Sequence, residues 1–372
     1  MKVLQICQDY PYTKLYENLF NALNDNDVFN IVYTPLNIKE DKKIVNDGKN
    51  IIYSLPSFKS YQSFFFYNKQ RTLLDTLEKN IDVNEVDIIH SHTLFTSGNL
   101  AYELSKKYNK KYIVAVRNTD VNVFFKYRKL IAPKGVEIMM NAEKVIFISP
   151  KYKEFVLNNY VPEKVRAIIE EKSMVLPNGI DSFWIENRKS KKIKDTNKIN
   201  FIQVGRLMKN KNLNATLKIV KDLRSKGYDA KLNIVGDGPL RKKVEQWSSK
   251  YSEFVKYHGQ LNKEQLLNMY SENDIYIMPS KGETFGLVYI EAISQGLPIV
   301  YTAGQGVDGY FNQFDVGVAI DYKNIENSSK LIIDVIKDYN NISRRGMERC
   351  VDFTWSEIGI EYNKIYEEIH IK

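Results

Sequence analysis

The chain has 372 residues, of which 43% are hydrophobic and 27% charged, and its formal net charge is +9. This composition excludes a disordered or fibrous protein, and the length predicts two α/β domains. A positive net charge is compatible with binding to nucleic acid, to an anionic membrane surface or to a phosphorylated substrate. Because the basic excess is spread over both halves, we expect no nucleic-acid partner. No apolar run approaches the roughly 20 residues of a membrane-spanning helix.

The first apolar run, Val3–Cys7, is too short for a signal peptide and predicts a buried strand instead. The chain has two cysteines, Cys7 and Cys350, near its opposite ends. We expect both thiols to be small core residues of a reduced, cytoplasmic protein.

Strand and helix patterns alternate through the first half. The predicted strands are Val3–Cys7, Phe29–Tyr33, Val86–His90, Tyr112–Val116, Val145–Ser149 and Met174–Leu176. The amphipathic stretches between them predict helices over Leu15–Leu23, Gln70–Glu78 and Asn99–Tyr108. This alternation predicts a parallel sheet covered by helices on both faces.

The pattern starts again after residues 177–181, and the basic stretch Arg188–Lys198 separates the halves as a solvated loop or a membrane-contact patch. The predicted strands of the second half are Asn200–Val204, Lys231–Val235, Phe254–His258, Ile275–Met278 and Pro298–Thr302. We therefore predict two doubly wound domains, residues 1–180 and 181–354, that face a central cleft. Residues 355–372 include an amphipathic helix over Trp355–Ile371 that packs against another part of the chain.

Ligands of doubly wound folds bind at the carboxyl ends of the strands, so the loops after strands are the candidate sites. Gly205 ends one strand and allows a tight turn, after which Arg206 and Lys211 could neutralise a diphosphate. In the next such loop, Asp237 or Gly238 could cap a helix that has a proline at its first position. The glycines of that loop could also leave room for a nucleotide.

The segment from Gly282 to Ala292 is the most informative loop. Glu283 lies at its tip, and a helix is predicted to begin around Phe285. The free N–H groups near Gly286 and Leu287 would face a phosphate, and the helix dipole would favour its negative charge. Glu291, eight residues beyond Glu283, could accept hydrogen bonds from both ribose hydroxyls.

A further loop, Gly304–Gly309, matches the dinucleotide pattern G-x-G-x-x-G. The residues that follow it are poorly helical, and no acidic residue ends a second strand at the expected distance. The pattern therefore favours a loop that lines the donor phosphates over a nicotinamide site.

In the first half, His92 follows a strand and is expected at a cleft-facing loop, as a ligand contact or as a structural residue. His90, within the strand, is expected to be half-buried. Arg117, Asn118 and Asp120 follow the next strand; they face the cleft or cap the following helix, and Asp120 is the favoured cap. Metal-binding patterns such as C-x-x-C and H-E-x-x-H do not occur, so no metal is expected.

The segment Phe58–Arg71 contains four consecutive aromatic residues, Phe64 to Tyr67, among Lys59, Lys69 and Arg71. It could rest on a membrane, which would suit a lipid-linked acceptor. Alternatively, it is a buried helix or a flap.

These motifs together resemble the retaining glycosyltransferases of family 4, which have the GT-B fold. The resemblance is carried by Gly-Arg-Leu followed by Lys211, by Val-Gly-Asp-Gly-Pro-Leu-Arg, and by Glu283-x7-Glu291, in that order. Pro177–Asp181 is similar to the joint between the two domains of this family. Trp355–Ile371 looks like the closing helix, which crosses back onto the first domain.

The resemblance implies that Arg206 and Lys211 hold the donor diphosphate and that Glu283 contacts the donor sugar. These three residues are the implied catalytic residues. The donor-binding residues that it implies are Gly205, Gln260, Leu261, Thr284, Phe285, Gly286, Leu287 and Glu291. Among them Glu291 would bind the ribose, and Gln260 and Leu261 would contact the base through their main chain. Members of the family usually need no metal, and the nucleotide-sugar is a substrate rather than a cofactor.

Two departures from the family concern the first half. The N-terminal glycine pair is replaced by residues 7–13, and the usual histidine appears as Asn118. Both positions bear on the acceptor and not on the donor.

The sequence therefore predicts a retaining, metal-independent transferase of a hexose or N-acetylhexosamine from a nucleotide-diphosphate sugar, with UDP as the favoured nucleotide. The acceptor would be a glycan, a lipid-linked molecule or a protein, and surface polysaccharide or glycoconjugate synthesis is the expected context. The predicted location is the cytoplasm, with peripheral contact at the inner face of the membrane as an option. The alternatives are a nucleotide-sugar epimerase and a non-catalytic donor-binding subunit.

Overall fold

The computed structural model describes residues 1–193 and 195–371. Lys194, inside the predicted basic stretch, and Lys372, the last residue of the predicted closing segment, lie outside the described residues. Both cysteines are buried free thiols, as expected from the sequence. Across the described residues, no helix combines the length and the apolar character that a bilayer-crossing helix needs.

The chain divides into two compact units. The first unit comprises Met1–Ile148, Tyr152–Gly179 and the C-terminal segment that begins at Trp355. The second unit comprises Ser149–Lys151 and Ile180–Thr354.

The first unit contains an eight-stranded sheet in the order β3-β4-β2-β1-β5-β6-β7-β8. Its strands are β1 (Lys2–Ile6), β2 (Phe29–Asn37), β3 (Lys43–Asn46), β4 (Asn50–Phe58), β5 (Ile88–Ser91), β6 (Lys111–Val116), β7 (Lys144–Phe147) and β8 (Ser173–Val175). All neighbouring pairs are parallel except β3 and β4. The six strands predicted in this half are present. Two further strands were not predicted: β3 is short and mostly exposed, and the apolar residues of β4 are interrupted by polar ones.

The second unit contains a six-stranded, fully parallel sheet in the order β11-β10-β9-β12-β13-β14. Its strands are β9 (Lys198–Val204), β10 (Asp229–Val235), β11 (Val255–Tyr257), β12 (Ile275–Ile277), β13 (Ile299–Thr302) and β14 (Gly317–Ile320). The five strands predicted in this half are present, and the four-residue β14 was missed. Both sheets therefore have the predicted doubly wound, Rossmann-like character.

The helices follow the strands in alternation. The α-helices are α1 (Lys14–Asn24), α2 (Phe66–Asn80), α3 (Thr96–Tyr108), α4 (Ala132–Asn141), α5 (Pro150–Tyr160), α6 (Glu163–Glu171), α7 (Ser182–Glu186), α8 (Leu213–Ser225), α9 (Arg241–Lys250), α10 (Lys263–Glu272), α11 (Leu287–Ser294), α12 (Ile325–Lys337), α13 (Tyr339–Arg349) and α14 (Trp355–Ile371). Short 3-10 helices span Tyr10–Tyr12, Ser60–Phe64, Val83–Glu85, Lys209–Lys211 and Cys350–Phe353, and a π-helix spans Asp120–Phe125.

Helix α14 packs in the first unit, against α1. The two helices approach closely at Gly359, where an added Cβ would lie 2.8 Å from the carbonyl oxygen of Ala22. Tyr362 and Tyr366 of α14 are buried in the core of that unit. The predicted return of the closing helix onto the first domain is therefore confirmed.

Candidate functional site

A cavity of about 670 Å³ lies at the carboxyl ends of β9 and β10, in the second unit. Its volume is within the range typical of small-molecule sites. The cavity is lined by Val204, Gly205, Arg206, Val235, Gly236, Asp237, Gly238, Gln260, Leu261 and Leu266. Four residues predicted to contact the donor, Gly205, Arg206, Gln260 and Leu261, therefore border one space.

Two loops form the floor of this cavity and are joined by backbone hydrogen bonds. The N–H of Gly205 donates to the carbonyl of Val235 at 3.1 Å, and the N–H of Leu207 donates to the carbonyl of Asp237 at 2.9 Å. Gly236 has φ +130°, and a Cβ there would lie 2.0 Å from the carbonyl oxygen of Gly205. A residue with a side chain at position 236 would therefore push the two loops apart.

The predicted helix cap in the second of these loops is wrong. Helix α9 begins at Arg241 with Leu240 at its N-cap position, and the N-cap side chain makes no capping hydrogen bond. The carboxylate of Asp237 accepts instead from the N–H of Gly238 at 2.7 Å. The N–H of Leu240 donates to the carbonyl of Leu207 in the neighbouring loop at 3.0 Å.

The two predicted cations differ in their surroundings. Arg206 borders the cavity and is exposed, and no acidic side chain of the described residues forms an ion pair with it. Lys211 is mostly buried, and its Nζ lies 2.5 Å from a carboxylate oxygen of Glu283. The side chains of Lys211 and Glu283 are 21% and 14% exposed, so this ion pair is largely shielded from water. The structure thus brings together two residues that are 72 positions apart in the sequence.

The turn that carries Lys211 is held by two residues that were not predicted as site residues. Gln203 of β9 donates through its side-chain amide to the carbonyl of Lys211 at 2.8 Å. Asn212, which has φ +52°, donates to the carbonyl of Pro279 at 2.9 Å. These bonds fix the turn between β9 and the segment after β12. The asparagine type at position 212 was the available signal, since asparagine tolerates a left-handed backbone.

The glycine-rich loop Gly304–Gly309 packs against the loop that carries Glu283. The side-chain oxygen of Gln305 accepts from the N–H of Gly282 and from the N–H of Glu283, the latter at 3.2 Å. The N–H of Gly306 donates to the carbonyl of Glu283 at 3.0 Å. After this loop the described chain runs through turns to β14 without a helix, so the arrangement lacks the helix that a dinucleotide-binding fingerprint requires.

Helix α11 begins at Leu287, two residues later than predicted, with Gly286 at its N-cap in a left-handed conformation (φ +88°). A Cβ at position 286 would lie 2.6 Å from the ring of Tyr289, so the position requires glycine. Thr284 and Phe285 precede this cap, and Phe285 is buried. As in any helix, the first N–H groups lack intrahelical partners and carry partial positive charge.

Glu291 lies on α11, beside the indole of Trp184 and the ammonium group of Lys263. Burial raises the pKa of its carboxyl group to about 7, against the attraction of Lys263 and a hydrogen bond from Trp184. Lys263 is the first residue of α10, the helix whose Leu266 lines the cavity, and it also pairs with Asp181. Near neutral pH this carboxyl is therefore poised between its two protonation states.

Of the two roles expected for His92, a ligand contact or a structural residue, the first unit favours the structural one. His92 is 1% exposed and not in an open loop, and its Nε2–H donates to the side-chain oxygen of Gln5 at 2.9 Å. His90 is fully buried rather than half-buried, and its Nδ1 is hydrogen bonded to the hydroxyl of Tyr366 at 2.6 Å. Burial, His90 and Arg117 hold the pKa of His92 well below its usual range. The imidazole is therefore a neutral member of a buried polar cluster.

Asp120 is buried, and its carboxylate accepts three backbone hydrogen bonds. The donors are the N–H groups of Leu94 (3.0 Å), Phe95 (3.1 Å) and Arg117 (2.8 Å). Phe95 is the N-cap residue of α3, so Asp120 caps the helix that precedes it in the chain. The prediction that Asp120 caps the following helix is wrong. Burial raises the pKa of this carboxyl to about 6 despite these bonds. Its role here is to join the loops that follow β5 and β6.

Arg117 and Asn118 follow β6 directly. The Nε and Nη1 atoms of Arg117 are shielded from solvent and have no hydrogen-bond partner among residues 1–193 and 195–371. Asn118 is exposed, and its side-chain oxygen accepts from the side chain of Asn122. Of the first-unit candidates, Arg117 thus retains unused hydrogen-bond donors.

Within the described ranges, no three His, Cys, Asp or Glu side chains are close enough together to hold a metal ion.

Residues 185–349, nearly all of the second unit, match the family model described as glycosyl transferases group 1. Over 99% of both chains, the protein is 23% identical to an uncharacterized glycosyltransferase of Methanocaldococcus jannaschii. It is 24% identical to the putative teichuronic acid biosynthesis glycosyltransferase TuaC of Bacillus subtilis, over 61% of this chain and 56% of TuaC.

Solved structures show the same fold over the whole chain. The sucrose-phosphate synthase of Thermosynechococcus elongatus superposes with a TM-score of 0.74 at 17% identity and covers 99% of both chains. The Anabaena protein HepE, solved in complex with UDP and glucose, has a TM-score of 0.64 at 15% identity and covers 99% of this chain and 100% of its own. The protein thus has the GT-B fold of two Rossmann-like units, is similar to glycosyltransferases along its length, and carries in its second unit the match to the group 1 glycosyl transferases.

Proposed function

We propose that the protein is a retaining, metal-independent glycosyltransferase that uses a UDP-sugar. The transferred group would be a hexosyl or N-acetylhexosaminyl residue, and the acceptor a glycan, lipid-linked molecule or protein in surface polysaccharide or glycoconjugate synthesis. The observation that carries the proposal is the position of Gly205, Arg206, Gln260 and Leu261 around one cavity of the second unit. UDP is favoured because HepE was solved with UDP and glucose, and the polysaccharide context because TuaC is named for teichuronic acid biosynthesis.

In this proposal the donor diphosphate lies between Arg206, Lys211 and the N-terminus of α11. These groups stabilise the charge that develops on the leaving diphosphate, which is the largest charge change in the reaction. The ion pair with Glu283 holds Lys211 in place, and the carboxylate of Glu283 also accepts hydrogen bonds from the donor sugar. Glu291 accepts hydrogen bonds from the ribose hydroxyls.

The transfer step breaks the bond between the anomeric carbon and the diphosphate oxygen. The acceptor oxygen forms its bond to the anomeric carbon on the same face, and its proton passes to an oxygen of the departing diphosphate. The burial of His92 and the three hydrogen bonds that occupy Asp120 support a step without a protein base in the first unit. Arg117, with its unused donors, is our candidate for an acceptor contact.

Proton NMR of freshly formed product tests the stereochemistry. We expect an α-linked product from an α-linked donor, and a β-linked product would contradict the mechanism. Release of UDP together with a glycosylated product is expected of a transferase. Epimerised donor without UDP release would identify an epimerase, and donor binding with neither outcome would identify a binding subunit.

A pair of lysine variants tests the diphosphate site. Lys211→Met should lower transfer at least a hundredfold, because a shielded charge–charge contact with the leaving group is lost. Lys209→Met is the matched control: Lys209 lies in the same short helix but is exposed. Equal activities of the two variants would remove Lys211 from the proposed site.

A further inference from the structure

Two segments of the first unit expose large apolar side chains. In residues 58–71 these are Tyr61, Phe64, Phe65 and Tyr67, and Phe64 is 81% exposed. In residues 121–131 they include Tyr127 and Leu130, and Leu130 is 96% exposed. Side chains of this size are rarely so open to water, and clusters of them mark interaction sites.

The two segments contact each other and form one surface region, which we call the aromatic–basic face (residues 58–71 and 121–131). A guanidinium N–H of Arg128 donates to the carbonyl of Ser63 at 2.7 Å. The buried rings of Phe66 and Phe124 meet edge to face, with centroids 5.9 Å apart. Phe124 also stacks on Phe95 in the interior. The face is therefore anchored by the buried rings of Phe66, Phe124 and Phe125. Its exposed aromatic residues are Tyr61, Phe64, Phe65, Tyr67 and Tyr127.

The charge of this face has one sign. Each segment contains three basic residues and no acidic residue: Lys59, Lys69 and Arg71 in the first, Lys126, Arg128 and Lys129 in the second. These 25 residues therefore have a net charge of +6, compared with +9 for the whole chain. Lys69 lies 3.7 Å from the centroid of Phe58, and Arg128 lies 5.3 Å from that of Phe124, so the cations lie beside the aromatic rings.

We propose that the aromatic–basic face binds the surface of an anionic phospholipid bilayer. Aromatic rings insert at the level of the lipid headgroups, and lysine and arginine side chains are attracted to anionic lipids. A protein partner would be expected to offer acidic groups matched one by one to these cations, whereas a bilayer needs only a common sign of charge and an apolar layer below it. The inference concerns attachment alone and does not depend on the proposed transfer reaction.

Vesicle flotation with the full-length protein tests the proposal. The vesicles contain either phosphatidylcholine alone or phosphatidylcholine with 30% phosphatidylglycerol, and neither contains a sugar acceptor. We expect binding to the anionic vesicles that weakens as the salt concentration rises, and at least tenfold weaker binding to the neutral vesicles. Absence of binding, or equal binding to both vesicles, would overturn the proposal.

Two double variants separate the apolar and the electrostatic contributions. Phe64→Ser with Leu130→Ser should lower the partition coefficient by roughly tenfold or more, because two exposed apolar groups no longer enter the lipid. The control Phe155→Ser with Ile168→Ser changes two residues of the first unit that are 46% and 49% exposed outside the face, and it should bind normally.

Lys126→Ser with Lys129→Ser should lower binding to anionic vesicles about 25-fold, at roughly fivefold for each lysine. Its control is Lys242→Ser with Lys256→Ser, two exposed lysines of the second unit. Thermal unfolding of each variant checks that it is folded, and if one face variant is unstable the other still decides the question. Wild-type binding by a folded face variant would show that this face is not the membrane contact.

Discussion

Glu291→Gln is the substitution from which the most can be learned, because the structure gives its carboxyl group a pKa of about 7 instead of 4.5. The main cause of this rise is burial. Since one pKa unit corresponds to about 1.4 kcal/mol, keeping the ionised carboxylate in this position costs on the order of 3 kcal/mol. The folded protein therefore binds a proton here between about pH 4.5 and pH 7 that the unfolded chain does not bind. The contribution of this group to stability falls as the pH rises through that interval.

The proposed ribose contact has the opposite pH dependence, because the ionised carboxylate is the stronger hydrogen-bond acceptor. UDP affinity should rise with pH and level off above about pH 7, and at pH 6 it should be roughly tenfold below the plateau. In Glu291→Gln this dependence should disappear, and the variant should gain stability over the wild type as the pH increases from 5 to 8. Isothermal titration calorimetry and thermal unfolding at half-unit pH intervals measure the two effects.

Two comparisons make this experiment decisive. The phosphate groups of UDP titrate too, but they do so equally with both proteins, so the difference between the proteins isolates residue 291. The diphosphate of 2′,3′-dideoxyuridine lacks both ribose hydroxyls and should show no difference between wild type and variant. If wild type and Glu291→Gln have the same pH slope for UDP, the ribose contact is refuted.

Three further predictions follow from the geometry. Gly236→Ala should lower the free energy of unfolding by about 3 kcal/mol, because of the positive φ and the contact with the carbonyl of Gly205. Its control Gly227→Ala (φ +95°, with open space around its Cβ) should cost only about 1 kcal/mol, and differential scanning calorimetry of both variants measures the difference. Asp120→Ala should cost about 3 kcal/mol in urea unfolding, because three backbone N–H groups lose their acceptor, and an unchanged unfolding midpoint would contradict that role. Transfer activity should persist in EDTA, since two cationic side chains and a helix terminus are available to the diphosphate; activity that is lost and then restored by magnesium or manganese would contradict the mechanism.

The sequence was most informative where function depends on local features. Gly205 and Arg206 directly follow a buried apolar run, and strand ends in an alternating α/β pattern meet at one edge of the sheet. For that reason Gly205 and Arg206 could be named from the residues themselves, whereas Gln260 and Leu261 were expected at the site only through the family resemblance. The start of α11 was placed within two residues because Gly286 interrupts the chain just before an apolar helix.

The errors have a common origin in contacts between distant segments. His90 is fully buried because Tyr362 and Tyr366 pack against it, and those residues come about 270 positions later in the chain. Asp120 caps a helix that precedes it because the loops after β5 and β6 are adjacent in the sheet. Leu240, the N-cap residue of α9, is hydrogen bonded to Leu207, which lies more than 30 residues earlier. No local pattern reports such contacts.

The return of α14 to the first unit also has a consequence for how the protein is made. Ile358, Tyr362 and Ile369 belong to the core of the first unit, yet a ribosome synthesises them only after the whole of Ile180–Thr354. Until α14 is synthesised, the earlier residues of that unit have an exposed apolar surface over α1, although the second unit already has its entire sequence. The order of folding should therefore be reversed relative to the order of synthesis, and the nascent first unit is the stage at which a chaperone would be needed.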